Sequence, residues 1–425
     1  MHLEYPECSH RLRLEAAGPA DVAGNPVGGG NVGAGTVIWV SDRRRSLVFF
    51  DDRYHEVYGA QENLLLLAEL CRDHGHRCLM MTSADGELAQ AARERGLDVS
   101  IVEAPPQLRT FERGTIRGGI GNRYRSLRAW VSYSAKLDTA LHERQVDAVL
   151  AGSVRSTMHL SRLAMRRRGP KVLLFAQNST PFGVFAALAA LISDRILLIA
   201  PGAARTFPPG VLALLGRRVR ALPSGRDIDR YHVARPLPDA ESSTCEVVTV
   251  GSVTRRKGLD VLIEALGAVV ASGRPCALTV VGGTSGSDSE QYRAEIVARA
   301  DVLDVPLRLP GWQDDVVPFL ESADVFALAS YDEGLPGVLL EAMAAALPCV
   351  TTEAGGSGDL VRAAGCGLSV AVGDVQGLAG ALTVLVDEPD TRLRLGAAGR
   401  AHAQEHHSLP AYLRRFEDVL ADVVP

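Results

Sequence analysis

Residues 323–350 read ADVFALASYDEGLPGVLLEAMAAALPCV, and this stretch predicts a strand, a loop and a helix in direct succession. Residues 323–330 are predominantly apolar, which is typical of a strand buried on both faces of a parallel sheet. Pro336 suits the first turn of a helix, because its missing N–H would have no partner there, and the apolar run after it predicts a helix over residues 338–346. Such a helix points its amino terminus at the carboxyl edge of the sheet, where ligands bind in α/β proteins.

The start of this helix is a candidate anion site. Backbone N–H groups at Gly337, Val338 and Leu339 would lack partners within the helix and would point at the cleft. The helix dipole supplies only about 0.3–2 kcal/mol, which is too little to hold a nucleotide. Lys257 follows a predicted strand at residues 247–250 and is the expected supplement. A charge-assisted hydrogen bond adds roughly 1.5–3 kcal/mol, so several contacts of this kind would reach micromolar affinity.

Two carboxylates frame the same turn. Glu333 lies in the loop and Glu341 lies one turn into the helix, so the two need not share a helical face and their roles should differ. One interpretation is the acid/base pair of a glycoside hydrolase, which requires both carboxyl groups to flank the scissile bond at about 5–9.5 Å from each other. The predicted anion site between them favours a phosphorylated ligand instead.

The rest of the chain alternates short β-branched runs with longer amphipathic runs, the pattern of parallel sheets covered by helices. Its 425 residues suit two such domains, and the first strand is expected at residues 36–41. We predict a disordered leader at residues 1–36, a first domain at 37–228, a linker at 229–244, a second domain at 245–407, and a carboxyl-terminal helix at 408–425 that packs back on the first domain.

Composition limits the partners. The formal net charge of −5 gives no general reason to expect nucleic acid. Seven scattered cysteines without a C-x-x-C pair argue against a disulfide framework and fit a reducing compartment. The most apolar stretch, residues 184–200, is interrupted by Asp194 and Arg195, and the amino terminus lacks the pattern of a signal peptide. We therefore expect a cytoplasmic protein, with a location at the inner face of the membrane as the alternative.

Several segments together resemble retaining glycosyltransferase family 4. Residues 330–361, SYDEGLPGVLLEAMAAALPCVTTEAGGSGDLV, resemble its E-x7-E motif. Four further segments are similar to its phosphate loop, its base-side loop, its interdomain linker and the first helix of its acceptor lobe: VGSVTRRKGLDVLIEAL at 250–266, LPGWQDDVVPFLESADVF at 309–326, LPSGRDIDRYH at 222–232 and YGAQENLLLLAELCRDHGH at 58–76. The resemblance implies the α/β GT-B fold, in which two Rossmann-like doubly wound domains face a central cleft.

The resemblance also implies a function: transfer of a sugar, with retained anomeric configuration, from a UDP- or GDP-sugar to a glycan, lipid or natural-product acceptor. Glu333 and Lys257 would be catalytic, Glu333 by contacting the sugar and Lys257 by neutralising the leaving diphosphate, while Glu341 would bind the ribose. The implied donor site comprises Gly251, Ser252, Arg256, Lys257, Gly311, Trp312, Glu333, Gly334, Leu335, Pro336, Gly337, Val338, Leu339 and Glu341. The implied acceptor side comprises Gly59, Gln61, Gln177 and Asn178. No metal or cofactor is expected.

Several positions depart from the family pattern, and two of them bear directly on the chemistry. Ser252 stands where the family often has Arg, and Gln177 stands where it often has a His near the C6 hydroxyl of the donor. We expect Arg255 or Arg256 to compensate for the first change. The second suggests a 6-deoxy sugar, a pentose or a donor otherwise modified at C6, or else reduced activity. Two alternatives stay open: a pseudo-glycosyltransferase that couples a cyclitol, and a non-catalytic nucleotide-sugar-binding protein.

Three other features need an interpretation. A group of arginines that includes Arg123 and Arg125 favours either solvated loops or contact with an anionic acceptor or membrane. His406 and His407 are adjacent, which suits a solvated tail better than a metal site. Residues 288–290 read as an acidic triplet in a loop.

Overall fold

The computed structural model describes residues 44–424, apart from 56, 58, 110–119, 165, 167–168, 179 and 234–243. The predicted leader, the predicted strand at 36–41 and most of the polar linker therefore lie outside the described residues. The first described strand is Ser46–Asp51, which the sequence interpretation missed.

The amino-terminal lobe contains a parallel sheet. Its described strands are β1 (Ser46–Asp51), β2 (Arg77–Thr82), β3 (Asp98–Ile101), β4 (Ala148–Ala151), β5 (Lys171–Ala176), β6 (Arg195–Leu198) and β7 (Val219–Ala221), in the spatial order β3-β2-β1-β4-β5-β6-β7. Its described helices are α1 (Gly59–Asp73), α2 (Glu87–Glu94), α3 (Pro106–Arg109), α4 (Ile120–Glu143), α5 (Val154–His159), α6 (Ser161–Ala164), α7 (Gly183–Ile192) and α8 (Val211–Leu215). The strand order reverses between β1 and β4, where doubly wound folds hold their ligands.

The carboxyl-terminal lobe repeats this plan. Its described strands are β8 (Cys245–Val250), β9 (Cys276–Val281), β10 (Leu307–Gly311), β11 (Val325–Leu328), β12 (Cys349–Thr352) and β13 (Gly367–Val370), in the order β10-β9-β8-β11-β12-β13. The described helices are α9 (Leu259–Ala271), α10 (Ser287–Val302), α11 (Val317–Glu321), α12 (Gly337–Ala344), α13 (Ser357–Ala364), α14 (Val375–Asp387), α15 (Pro389–His406) and α16 (Leu409–Val423). Here the order reverses between β8 and β11.

The last helix, α16, crosses from the carboxyl-terminal lobe and packs against α1 of the amino-terminal lobe. Glu417 of α16 accepts a hydrogen bond from Arg45 at 3.2 Å and lies 2.6 Å from the ring of His76. The hydroxyl of Tyr412 donates to the carbonyl oxygen of Asn63 at 3.5 Å. The amphipathic helix therefore buries its apolar face on the first lobe and ties the two lobes together.

Two sequence interpretations differ from the structure. The sequence allows solvated loops around Arg125, but residues 120–143 form one long helix, α4. Tyr133, Leu137 and Leu141 recur at a spacing of four residues and are fully buried, so the inward face of α4 is hydrophobic. The acidic triplet at 288–290 lies in the first turn of α10 rather than in a loop, where its carboxylates favourably face the positive end of the helix dipole.

Candidate functional site

A buried ion pair lies at the point where the carboxyl-terminal sheet reverses its order. Lys257 follows β8 and Glu333 follows β11, and the two strands are neighbours. The Lys257 ammonium lies 2.7 Å from Oε1 of Glu333, and both side chains are about nine-tenths buried, with exposures of 11% and 9%. The hydroxyl of Ser330 donates to the same oxygen at 2.8 Å, and the Arg256 guanidinium lies 3.3 Å from Oε2.

Close backbone approach brings the two loops together. Gly258 has a φ of +60°, and a Cβ at this position would lie 2.1 Å from the carbonyl oxygen of Ala329. Only glycine allows the loop after β8 to approach the end of β11 this closely. The N–H of Tyr331 donates to the carbonyl oxygen of Arg256 at 2.8 Å, which fixes the two loops side by side. The position of Lys257 beside Glu333 therefore follows from backbone geometry.

The charges and hydrogen bonds around Glu333 outweigh the effect of burial on its pKa. Burial raises the pKa of a carboxyl group, but the charges of Lys257 and Arg256 and the hydrogen bonds from Lys257 and Ser330 together lower the pKa of Glu333 below its usual value. Glu333 is therefore ionised at neutral pH. An ionised, buried carboxylate can accept hydrogen bonds from sugar hydroxyls and stabilise positive charge, but it is not prepared to donate a proton as a general acid.

The start of α12 is covered by an arginine that the sequence interpretation missed. A Cβ at Gly337 would lie 1.7 Å from Nη2 of Arg226, so the guanidinium lies directly against the first helical residue. Nε of Arg226 donates to Oε1 of Glu341 at 3.2 Å, and Nη1 donates to Oδ1 of Asn63 in the amino-terminal lobe at 3.1 Å. Arg226 thus links helix α12 to the amino-terminal lobe.

The predicted anion site needs one correction. The N–H of Leu339 donates to the carbonyl oxygen of Pro336 at 3.1 Å, so it is not the unpaired donor that the sequence suggested. Pro336 itself immediately precedes the helix, which begins at Gly337. The bond from Leu339 to Pro336 spans three residues, as in a 3₁₀ turn, and tighter turns of this kind are frequent at helix ends.

The donor-side and acceptor-side predictions meet at Gly334. A Cβ on Gly334 would lie 2.2 Å from the carbonyl oxygen of Gln177, so the two lobes are in backbone contact. The Gln177 side chain is buried, donates from Nε2 to the carbonyl oxygen of Ala60 at 3.0 Å, and accepts from Asn63 at 3.1 Å. Its amide therefore holds the start of α1 against the end of β5.

The remaining predicted donor residues lie at neighbouring strand ends. The N–H of Gly251 donates to Val281, and Gly282 donates to Gly311, so the ends of β8, β9 and β10 meet. Ser252 and Arg256 are exposed there, Leu335 is buried and Val338 is half-buried. Trp312 is 76% exposed, and its indole N–H donates to Oδ1 of Asp314 at 3.2 Å.

Among the residues predicted for the acceptor side, Gln61 is buried and its Nε2 donates to Oδ2 of Asp51 at 3.3 Å. Gly59 and Asn178 are exposed. Asp51 and Asp52 form an acidic pair at the end of β1, where the first sheet reverses its order. Burial and the neighbouring Asp52 charge raise the pKa of Asp51 to about 6. The sequence interpretation missed this pair, although consecutive aspartates after a buried strand were a visible signal.

The sequence predicts that His407 belongs to a solvated tail, and this prediction is wrong. His407 is buried at the junction of α15 and α16, and its Nδ1 lies 3.0 Å from the carbonyl oxygen of Ser224. The carbonyl oxygen of His407 accepts from the N–H of Arg226 at 2.8 Å, so this junction positions the bridging arginine. Within the described residues, no group of three or more potential ligands could hold a metal ion. In the same part of the chain, no helix has the length and apolar character needed to cross a bilayer.

Comparison with known proteins identifies the fold, and it gives a family match over part of the chain. The structure of Anabaena HepE in complex with UDP covers 89% of this chain and all of its own, with a TM-score of 0.71 and 17% identity. A glycosyltransferase from Rickettsia africae also covers 89% of this chain and 98% of its own, with a TM-score of 0.73 and 14% identity. This chain has the GT-B fold.

The match to a family model lies in the carboxyl-terminal lobe. Residues 244–388 match the family model "Glycosyl transferases group 1". A mannosyltransferase from Corynebacterium glutamicum, named as GDP-mannose-dependent and as acting on a phosphatidylinositol monomannoside, is 31% identical over 47% of this chain and 55% of its own length. A D-inositol 3-phosphate glycosyltransferase from Saccharomonospora viridis is 31% identical over 54% of this chain and 51% of its own length. The chain thus spans about half the length of these relatives.

Proposed function

We propose that this protein is a retaining glycosyltransferase that takes its sugar from a nucleotide-sugar donor. The observation that carries the proposal is the buried Lys257–Glu333 pair, which lies where the sheet order reverses and beside the start of α12. The match to the family model includes both loops. HepE, which shares the fold, has been crystallised with UDP and with UDP-glucose.

The pair divides the chemistry between its members. The Lys257 ammonium donates a hydrogen bond to Glu333. It can also interact with the diphosphate of the donor, where its positive charge stabilises the leaving group as the glycosidic bond to phosphate breaks. Glu333 stays ionised because Arg256 and Ser330 also stabilise its charge. Its carboxylate then contacts the sugar and stabilises the positive charge that develops at the anomeric carbon.

A glycoside hydrolase fits this site less well. Its general acid needs a raised pKa so that a proton is available at neutral pH. The pKa of Glu333 is lowered instead, because Lys257 and Arg256 outweigh the effect of burial. The second carboxylate, Glu341, is engaged by Arg226 through Oε1 and lies on the helix, where ribose hydroxyls can bind the carboxylate.

The surroundings of Gln177 bear on the donor sugar. Both polar ends of its amide are used within the amino-terminal lobe, by Ala60 and Asn63. A strong contact with a C6 hydroxyl would compete with these bonds. We therefore favour a donor that lacks or modifies this hydroxyl, and a donor panel in which unmodified UDP-glucose was the best substrate would overturn this part of the proposal.

Calorimetric titration with UDP, GDP, ADP and TDP would identify the base, and NMR of the product would give the anomeric configuration. We expect Lys257→Met to weaken binding of the preferred nucleotide at least tenfold, because the charge-assisted contact is lost. The exposed Lys136 offers a matched control, and Lys136→Met should bind like the wild type. Inversion at the anomeric carbon would refute retention. Tight nucleotide binding without turnover of any sugar or cyclitol donor would favour the non-catalytic alternative.

A further inference from the structure

Helix α7 is apolar all round, which is unusual for a helix at the surface of a globular protein. Its inward face is formed by small residues, which are fully buried: Ala186, Ala189 and Ala190. Its larger apolar side chains face outward, with Val184 64% exposed and Leu191 52% exposed. The side that normally carries polar residues therefore carries the bulkiest hydrophobic ones.

These outward side chains form a surface that we name the α7 patch. It consists of Phe182, Val184, Phe185, Leu188 and Leu191, together with Leu214 of the adjoining helix α8. Residues 184, 185, 188 and 191 recur at the spacing of a single helical face. Leu214 is 81% exposed. A contiguous exposed apolar surface of this kind marks an interaction site.

Arginines lie at both ends of the α7 patch. At one end the N–H of Phe182 donates to Thr206 at 3.2 Å, and the exposed Arg205 is the adjacent residue. At the other end, Arg218 donates to the carbonyl oxygen of Leu191 at 3.3 Å, and the exposed Arg217 lies beside it. Residues 180–221 contain five arginines and one aspartate, although the whole chain has a net charge of −5.

We propose that the α7 patch docks on an anionic lipid bilayer, with its apolar side chains in the interfacial layer and Arg205, Arg217 and Arg218 against the headgroups. Apolar insertion combined with cationic residues is the pattern of proteins that lie on membranes. A symmetric contact with a second copy would set the same arginines against one another, which disfavours that occupant.

The position of the α7 patch suits a lipid-borne acceptor. The hydroxyl of Thr206 donates to the carbonyl oxygen of Asn178 at 2.5 Å, and Phe182 is bonded to the same threonine. The patch therefore begins beside the predicted acceptor side of the cleft. Membrane docking would bring this end of the cleft to the bilayer surface, but the docking itself does not depend on glycosyl transfer.

Vesicle flotation with the full chain tests the proposal, using phosphatidylcholine vesicles with and without phosphatidylglycerol. We expect binding to the mixed vesicles, reduced at least tenfold by the double variant Val184→Ser/Leu188→Ser, because apolar burial is lost. Arg217→Glu/Arg218→Glu should reduce binding to the mixed vesicles by a similar factor. Val302→Ser, at a 72% exposed position of α10, is the matched control and should bind like the wild type.

Helix α4 provides the competing surface, since Leu127 and Val131 are exposed there beside Arg128. If Leu127→Ser/Val131→Ser abolished vesicle binding while the α7 variants did not, the membrane would dock on α4 and the proposal would be overturned. Absence of wild-type binding would overturn it as well.

A fluorescent probe reports insertion directly. The variant Phe185→Trp should show a blue-shifted emission with mixed vesicles and quenching by brominated lipids. A concentration-dependent shift without vesicles, together with a doubled mass in analytical ultracentrifugation and no lipid quenching, would assign the α7 patch to a second copy instead. Unchanged nucleotide titration of each variant would separate failure of docking from failure of the donor site.

Discussion

Replacing Lys257 by Met removes the ammonium from the buried pair and keeps most of the side-chain volume. Exposed ion pairs contribute about 0.2–1 kcal/mol, whereas breaking a buried pair costs about 3–5 kcal/mol because the remaining charge loses its partner. The Lys257–Glu333 pair is nine-tenths buried. Arg256, at 3.3 Å and half-exposed, and Ser330, at 2.8 Å, still stabilise the carboxylate. We therefore expect Lys257→Met to lower the free energy of unfolding by about 2–4 kcal/mol, between the values for exposed and buried pairs.

Differential scanning calorimetry measures this loss. For a lobe of this size, the expected loss corresponds to a Tm about 5–12 °C lower at pH 8. The sign of the pH effect follows from Glu333. The pKa of Glu333 is lowered in the folded wild type, so the pair stabilises the protein fully above the pKa of an unfolded Glu, about 4.3. This stabilisation is lost as the pH falls through the pKa of folded Glu333. In the variant, burial raises the pKa of Glu333, so partial protonation should make the difference in Tm smaller at pH 5 than at pH 8.

Two controls make this prediction refutable. Lys171→Met breaks a half-exposed pair with Asp194, 3.5 Å long, and should lower the Tm by no more than about 2 °C. In a Glu333→Gln background, Lys257→Met should cost much less than in the wild type, because no buried charge is left alone. A decrease in Tm that was equal in both backgrounds and at both pH values would refute the assigned coupling.

Three further predictions concern the contacts around the site. Gly337→Ala should displace the flexible Arg226 guanidinium, which would lie 1.7 Å from the new Cβ. The loss of stability, about 1–2 kcal/mol, should therefore largely vanish in an Arg226→Ala background, and additive losses in urea unfolding would contradict this. Gly334→Ala should be more damaging, by about 3 kcal/mol or more, because the obstacle at 2.2 Å is the backbone carbonyl of Gln177; a Tm within 2 °C of the wild type would show that the lobes do not touch there. Burial lowers the pKa of His407 to about 4, whereas the pKa of an unfolded His is near 6.5. Between these pH values only the unfolded chain gains a proton, so the free energy of unfolding should fall by up to about 3 kcal/mol as the pH drops from 6.5 to 4. His407→Asn should remove most of that pH dependence in calorimetric Tm profiles, and parallel profiles would disprove the assignment.

The proximity of the loops that carry Lys257 and Glu333 could be predicted from sequence for a physical reason. Lys257 and Glu333 each follow a buried strand, and parallel strands place the loops that follow them at one edge of the sheet. The order of β8 and β11 brings those two loops together, and the glycine at 258 marks the close backbone approach. Local patterns thus contained both members of the pair and the reason for their proximity.

The bridging residues could not be predicted in the same way. Arg226 contacts Glu341 and Asn63, which lie 115 and 163 residues away in the sequence. Its position depends on the path of the linker and on the junction at His407, and neither has a local signature. Helix α4 is a different case, because its buried positions do recur at helical spacing, and the surrounding arginines obscured that signal.

The most direct test of the central claim is the turnover number of Glu333→Gln with the preferred donor and acceptor. The substitution keeps the shape of the side chain and removes its charge, and the exposed Glu321 offers a matched control in Glu321→Gln. We predict that Glu333→Gln loses at least about a hundredfold in kcat, the scale of removing one group that stabilises transition-state charge, while its nucleotide affinity stays within about threefold of the wild type. Full activity of Glu333→Gln would contradict the role assigned to the buried pair.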